Sequence, residues 1–489
     1  MRTPLIGGSM PQRLKPEELS VLALDTTRAP GHVGTVDIFS TGGDGLDYER
    51  LIGLIRERLA YVPRYRQRLR FLPAQLAGPV WVDDEHFDLT FHVRRSALPR
   101  PGTMEQLREF VGRVLARRLD RSRPLWEVYL VEGLADDRFA LVSKSHLLLI
   151  DGVDGVDLGQ VLLEDEQDPP PDGFASAGWH PVPEPSDAEL LISSVWEGVR
   201  NPELAVENVR GALTGALGTA IAIGEAVGGI AGALGELAGD ALRGTRPPST
   251  SPLTGVLSEQ RRYAGISVPL AELRQVRAEH DHTVNDVILA MITGGLRGWL
   301  LARGEPVSPQ TAVRAVVPMS VTEDDGEPTS LGSQVAPHVQ NLPVGEPNAL
   351  IRLHQVAYGT QAHKDTGRAV AARSLTDIAG FAPTTIHALG VRVAGEVIRA
   401  RHDLLITNVP GPQRTMYAAG ERLVASYPVL PLTAGHLLAI GVTSYDGEVF
   451  FGLTADRDAI SDLDVLAQSL LDALAELTEL TESRQRGGS

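Results

Sequence analysis

Midway along the chain, residues 203–243 form a run of alanine, glycine and leucine with sparse charges, Glu225, Glu236 and Asp240 among them. On either side, in about 1–165 and about 250–480, strand-like and helix-like patterns alternate. No other feature constrains the fold as strongly, because it forces two halves of mixed strands and helices, joined by a linker and a long helix. Small residues at close spacing suit tight helix packing, a habit of membrane helices. The embedded charges and the many glycines, which are weak helix formers, argue against a spanning segment. The run reads as a packed or interfacial connecting helix, with peripheral contact to a lipid surface left open. Ahead of it, residues 164–190 are acidic and proline-rich, with Pro169-Pro170-Pro171 and Trp179. Residues 246–256 behind it are rich in Pro, Ser and Thr. Both stretches mark boundaries. The division expected is 1–165, 166–250 and 251–480, with a disordered tail at 481–489.

Bulk properties narrow the function. The 489 residues are enough for two to four domains and a large core. Forty-five Lys and Arg against 62 Asp and Glu leave a net charge of −17. Phosphate binding needs a basic surface, so a nucleic-acid partner is not expected, nor is simple adhesion to anionic lipid. The absence of cysteine excludes disulfides, thiolate metal sites and cysteine nucleophiles. Met1-Arg2 leads into a short apolar stretch broken by Gly7, Gly8 and Pro11, which is no convincing signal peptide. No run of roughly 20 residues is apolar enough for a confident membrane span. No glycine loop of phosphate-cradling pattern is present. The chain is expected in the cytoplasm, peripheral contact with the inner face of the cell membrane or with lipid bodies being a further expectation.

Periodicity places the elements. His32–Phe39 reads as a strand after the Pro30-Gly31 turn, and Tyr48–Leu59 has helical spacing. Arg64, Arg66 and Arg68 read as a solvated basic face rather than an anion site. Short strands are expected at Val80–Val82, Phe87–Leu89 and Phe91–Val93, and an amphipathic helix at Met104–Leu119. Strands follow at Val128–Val131 and Phe139–Leu149. In the second half, Thr283 to Asp286 caps a helix running from Val287 to Arg303. Strands are expected at Val313–Ser320, Val335–Leu342, Leu404–Asn408, Leu437–Tyr445 and Glu448–Thr454, the last two joined by the hairpin signal Asp446-Gly447. Helices are expected over about 347–365, 382–400 and Asp462–Leu480. Two such halves predict a cleft between them, a usual place for a ligand.

The stretch with most chemical promise is Lys144-Ser145-His146-Leu147-Leu148-Leu149-Ile150-Asp151-Gly152. Three polar residues give way to four apolar ones, the mark of a strand covered on both faces. Asp-Gly then ends it in a turn. His146 could be a base with Asp151 as its support, or a satisfied core histidine.

Several landmarks in fixed order resemble the bacterial wax ester synthase/diacylglycerol acyltransferase family. They are Arg13-Leu14 through Pro30-Gly31-His32-Val33-Gly34, Val62 to Leu69, Phe87-Asp88 with His92, and Leu119-Asp120-Arg121-Ser122-Arg123-Pro124-Leu125-Trp126-Glu127. The second half adds Val284-Asn285-Asp286-Val287, Val317-Pro318-Met319-Ser320, Asn408-Val409-Pro410-Gly411-Pro412 and Ser444-Tyr445-Asp446-Gly447. The family is related to chloramphenicol acetyltransferase, carnitine acyltransferases and peptide-synthetase condensation domains. The resemblance therefore implies an α/β fold of two acetyltransferase-like halves. It also implies acyl transfer from acyl-CoA to a diacylglycerol or a fatty alcohol, with no cofactor beyond the co-substrate and no metal.

The family motif is His-His-x-x-x-Asp-Gly, its second histidine being taken as the base. Here His146 matches the first histidine and Asp151-Gly152 the end, while Leu147 stands at the second position. Leucine can neither accept nor donate a proton. Neighbours on a strand point to opposite faces, so His146 is expected to face away from the base position unless a bulge shifts the register. The resemblance assigns catalysis to His146, Asp151 and Asn285, with Leu147, Gly152 and Asp286 in support. Asn285 and Asp286 match an asparagine-aspartate pair thought to serve the site from the other half, a role compatible with capping. Gly332-Ser333 departs from a common Gly-Asn. The implied function is an O-acyltransferase making triacylglycerol or wax ester. The alternative is an impaired paralogue that binds or carries lipid, or regulates an active relative. A condensation-type enzyme fits the landmarks less well.

Overall fold

A computed structural model describes residues 12–41, 47–72, 78–150, 159, 162–167, 179–190, 251–320, 335–371 and 402–487. The first half runs α1 (Pro16–Leu24), β1 (His32–Ser40), α2 (Tyr48–Arg58), β2 (Gln67–Arg70), β3 (Val80–Asp83), the single turn α3 (Leu89–His92), β4 (Val93–Ala97), α4 (Met104–Ala116), β5 (Trp126–Leu134), β6 (Arg138–His146) and a second single turn, α5 (Leu147–Ile150). The second half runs β7 (Arg261–Pro269), α6 (Leu270–His280), α7 (Val284–Ala302), β8 (Val313–Ser320), β9 (Val335–Leu342), α8 (Ala349–Ala371), β10 (Leu404–Pro410), β11 (Tyr417–Ala418), β12 (Glu421–Val429), β13 (Leu438–Tyr445), β14 (Glu448–Asp456) and α9 (Leu463–Gly487).

These strands build one sheet in the order β11-β12-β1-β6-β5-β4, another in the order β7-β14-β13-β10-β8-β9, and the hairpin β2-β3. The expected α/β class with two mixed-sheet halves is what they show. Local chemistry explains the elements that position the site. In α4, Thr103 and Gln106 close a reciprocal capping box, and Leu107, Val111, Val114 and Leu115 fall on the buried face. In α7, Thr283 and Asp286 do the same. By length and composition α7 could cross a membrane. Its residues Val287 to Leu296 are instead buried in the core of the second half. Asp446 and Gly447 take φ of 44° and 86°, the left-handed pair that a tight hairpin between β13 and β14 requires.

The sheets do not divide where the chain does. Strand β12, from the second half, pairs antiparallel with β1 of the first, Gly34 opposite Val429 through Ser40 opposite Arg422. It also lies across the second sheet, over Gly441, Gly452 and Gly265. These glycines are opposite one another on β13, β14 and β7. A Cβ at Gly452 would stand 1.8 Å from Pro428 O, and one at Gly265 would stand 2.9 Å from the Tyr427 ring. Glycine at all three positions leaves the groove that β12 fills.

Several sequence expectations change. Leu89–His92 is a helical turn capped by the Asp88 side chain, and the strand expected at Phe91–Val93 starts only at Val93. Leu147–Ile150 is also a turn of helix, since β6 stops at His146. The arginine face is engaged rather than solvated. Arg64 stacks on Trp81 and Arg66 on Trp179, at 4.6 and 4.7 Å. Arg68 pairs with Glu184, and Arg70 reaches Glu184 and Asp187, both at 2.8 Å. The acidic linker is thus fastened to β2. The terminal helix continues through Gly487, with Thr481 buried, where a disordered tail is expected. The connecting helix expected at 203–243 and the helix expected at 382–400 lie outside the described residues.

Candidate active site

The site is built where β6 ends. His146 is opposite His32 on β1, and the pairing keeps one register from there to Ser40 opposite Arg138. No bulge therefore turns His146 toward the other face. Its side chain is 1% exposed. Leu148 N–H donates to His146 Nδ1 at 3.1 Å, so Nδ1 holds the lone pair and the ring proton sits on Nε2. Nε2 lies 3.2 Å from Asp25 Oδ2, off the line of a straight hydrogen bond.

Asp25 is itself buried. Its Oδ2 accepts from Arg121 at 2.6 Å and its Oδ1 from Gly31 N–H at 3.2 Å. Burial pushes the Asp25 carboxyl up, but His146 and the Arg121 guanidinium outweigh it and hold it well below the usual carboxylate range. His32 accepts Leu119 N–H on Nε2 at 3.3 Å. Burial first, then the charge of Lys144, pushes its pKa well below the ordinary histidine value, so it stays neutral.

Nδ1 of His146 is therefore engaged inside the first half, while Nε2 is buried beside Asp25. His146, expected to be catalytic, is thus a buried side chain of the first half. Leu147, 6% exposed, sits in the same core with one Cδ near Gly31. Asp151 and Gly152 lie outside the described residues. Asn285 occupies the first turn of α7, where its Oδ1 accepts from Asn408 Nδ2 of β10 at 2.9 Å. Both are partly exposed, which leaves further amide hydrogens for a ligand oxygen. Asp286 is the capping acid of that helix, its Oδ2 accepting from Thr283 Oγ1 at 2.6 Å. Among the described residues no hydrogen bond joins Asn285 to His146, and no group of three His, Asp or Glu could hold a metal ion.

Sequence reasoning missed the role of Asp25, which sits in the polar loop Asp25-Thr26-Thr27-Arg28 with no distinguishing pattern. It also missed the pairing of Asn408 with Asn285. The signal available was their shared residue type within two ordered landmarks.

Comparison with known proteins agrees with this architecture. The model of the wax ester synthase/diacylglycerol acyltransferase catalytic domain matches residues 14–288, and that of the family's C-terminal domain matches 331–478. A protein of Mycobacterium tuberculosis named as a probable diacylglycerol O-acyltransferase is 34% identical over 445 residues, 91% of this chain and 90% of its own length. The solved wax ester synthase/diacylglycerol acyltransferase from Marinobacter aquaeolei superposes with a TM-score of 0.66 at 26% identity, covering 96% of this chain and all of that one. The first condensation domain of the calcium-dependent antibiotic synthetase shares the fold, with a TM-score of 0.52 at 13% identity over 96% of each chain. With matches over both halves and an ordered set of landmarks, the chain belongs to the wax ester synthase/diacylglycerol acyltransferase family.

Proposed function

We propose that the chain is an acyl-CoA-dependent O-acyltransferase that forms triacylglycerol or wax ester by direct transfer to a diacylglycerol or a fatty alcohol. The observation that carries this reading is the whole-length likeness to the Marinobacter wax ester synthase/diacylglycerol acyltransferase. In the reaction the acceptor oxygen bonds to the thioester carbon, the carbon–sulfur bond breaks, and the departing thiolate takes up the proton the hydroxyl loses. Asn285 and Asn408 offer amide hydrogens to the carbonyl oxygen as negative charge develops on it. The reaction needs no cofactor. The lipid acceptor favours work at the inner face of the membrane or on lipid bodies.

A second reading is favoured by Leu147 and by the burial of His146, whose Nδ1 is engaged by Leu148 N–H. It makes the chain a lipid-binding or regulatory paralogue that keeps the fold without the base. Positioned proton transfer contributes about 10²–10⁴-fold, so the first reading expects a slow wild type that Leu147→His accelerates by about 10²-fold or more. Transfer from labelled acyl-CoA to diacylglycerol and to hexadecanol measures this. Product from Leu147→His alone replaces the first reading with the second. Brisk wild-type turnover that Leu147→His does not raise would place the base elsewhere.

A further inference from the structure

Asp25 to Gly31 form a turn that touches both halves. Thr26 N–H donates to Ala29 O at 3.2 Å, and Ala29 N–H donates to Thr26 Oγ1 at 3.0 Å. On the first-half side Asp25 meets Arg121, Arg118 and His146. On the other side Arg261 of β7 donates to Arg28 O, and Ala29 is buried in the core of the second half. At the end of the turn, Gly31 O accepts Leu147 N–H at 2.9 Å. One residue on, His146 Nδ1 accepts Leu148 N–H at 3.1 Å.

These last two bonds hold the peptide planes on either side of the Leu147 Cα. Both backbone dihedrals of residue 147 are thereby set, and with them the direction of its side chain. We propose that His146, held by Asp25, is a positioning residue that aims the side chain at position 147 and registers it against the second half through the Asp25–Gly31 turn. This rests on the acyltransfer reading, in which position 147 is where the family places its base. The need for such a device is geometric. Residue 147 and the Asn285–Asn408 pair come from different halves, and a displacement of about 1 Å at a reacting centre costs about 10²-fold in rate. The first motif residue then serves through its shape, its Nδ1 acceptor and its contact with Asp25, with no proton passed to substrate.

Two near-isosteres separate the two grips. His146→Asn puts an amide oxygen near the Nδ1 position and keeps an acceptor for Leu148 N–H, while giving up Asp25. His146→Gln keeps a donor toward Asp25 and loses that acceptor. Amide hydrogen exchange at Leu148 is expected to quicken by about tenfold or more in His146→Gln and to stay near wild type in His146→Asn. In the Leu147→His background, His146→Gln is expected to lower kcat about tenfold with KM nearly unchanged, and His146→Asn to retain most of it. Equal exchange in the two single variants overturns the proposal. Nitrogen spectra of the wild type test it without any variant: an Nδ1–H tautomer at His146 overturns it too. A Leu147→His protein that makes no ester while His146→Gln still loosens Leu148 removes the acyltransfer reading and leaves the positioning role standing.

Discussion

Lys144 carries a charge into the middle of the first sheet. It is fully buried, and its Nζ donates to Val114 O at 3.1 Å and to Arg117 O at 2.6 Å. Those carbonyls belong to the last turn of α4 and to its C-cap, so the lysine closes that helix from across the sheet. Glu127 Oε2 lies 3.6 Å away, and Glu127 also takes Arg94 at 2.9 Å and the Tyr129 hydroxyl at 2.8 Å. Burial pushes the ammonium pKa down to about 8, against the pull of Glu127. The folded value is below the unfolded one, so between about pH 8 and 10.5 the unfolded chain binds more protons, and stability rises with pH there. Lys144→Met removes that rise. Denaturant titrations at pH 8 and pH 10 are expected to show the wild type gaining on the variant, by about 3 kcal/mol at most. A wild-type–variant gap that is flat in pH contradicts it. The sequence marks Lys144 only as the polar head of an apolar run. Its burial was not legible, because its carbonyl partners lie 27 and 30 residues earlier. Asp25 was hidden for the same reason, since its partners His146 and Arg121 are brought to it only by the fold.

At the level of elements, Leu147–Ile150 is the instructive turn. Four apolar residues fit a buried strand or a buried helix, and periodicity alone does not separate them. The neighbours decide. Strand β1 starts at His32, two residues after Pro30, and β5 starts at Trp126, two residues after Pro124. Proline has no N–H to offer a ladder, so β6 runs out of partners on both edges at His146. The last contacts are His146 N–H to Leu125 O and Leu147 N–H to Gly31 O, each 2.9 Å, after which the chain satisfies itself by coiling. Both prolines are plain in the sequence, but their alignment beside one strand end depends on the sheet order. Helix α7 was more legible, because Thr283 and Asp286 are a local signature. That cap also holds the turn carrying Asn285. Thr283→Ala is expected to lower stability by about 1 kcal/mol, and Thr283→Ser to keep most of it. Chemical denaturation measures both, and equal losses in the two variants would show that the hydroxyl contributes nothing.

On the scale of the whole molecule, the ordered landmarks made the family legible, whereas the seam between the halves was not. A linker between two βα blocks suggests two sheets that each belong to one block. Strand β12 breaks that picture by pairing with β1 while lying across β13, β14 and β7. The available signal was glycine in the middle of three strands, at 265, 441 and 452, where a side chain would ordinarily help packing. Their register puts them in one row, and the row admits the β12 backbone. Tyr263 then reaches Pro428 O with its hydroxyl at 3.2 Å, and a Cβ at Gly452 would come 2.8 Å from that same hydroxyl. Because Pro428 O is backbone, it cannot swing aside as a flexible side chain would. Gly452→Ala must move β12, and with it the edge of the first sheet on which β1 and His146 depend. The expected loss is about 3 kcal/mol or more, toward the upper end for overpacking. Gly53→Ala is the control. Its Cβ would meet nothing within 4 Å, and it replaces glycine inside α2, so it is expected to gain about 0.5–1 kcal/mol. Urea unfolding of the two variants beside the wild type makes the comparison. A Gly452→Ala protein as stable as the wild type would mean that β12 does not bind the two sheets together as described.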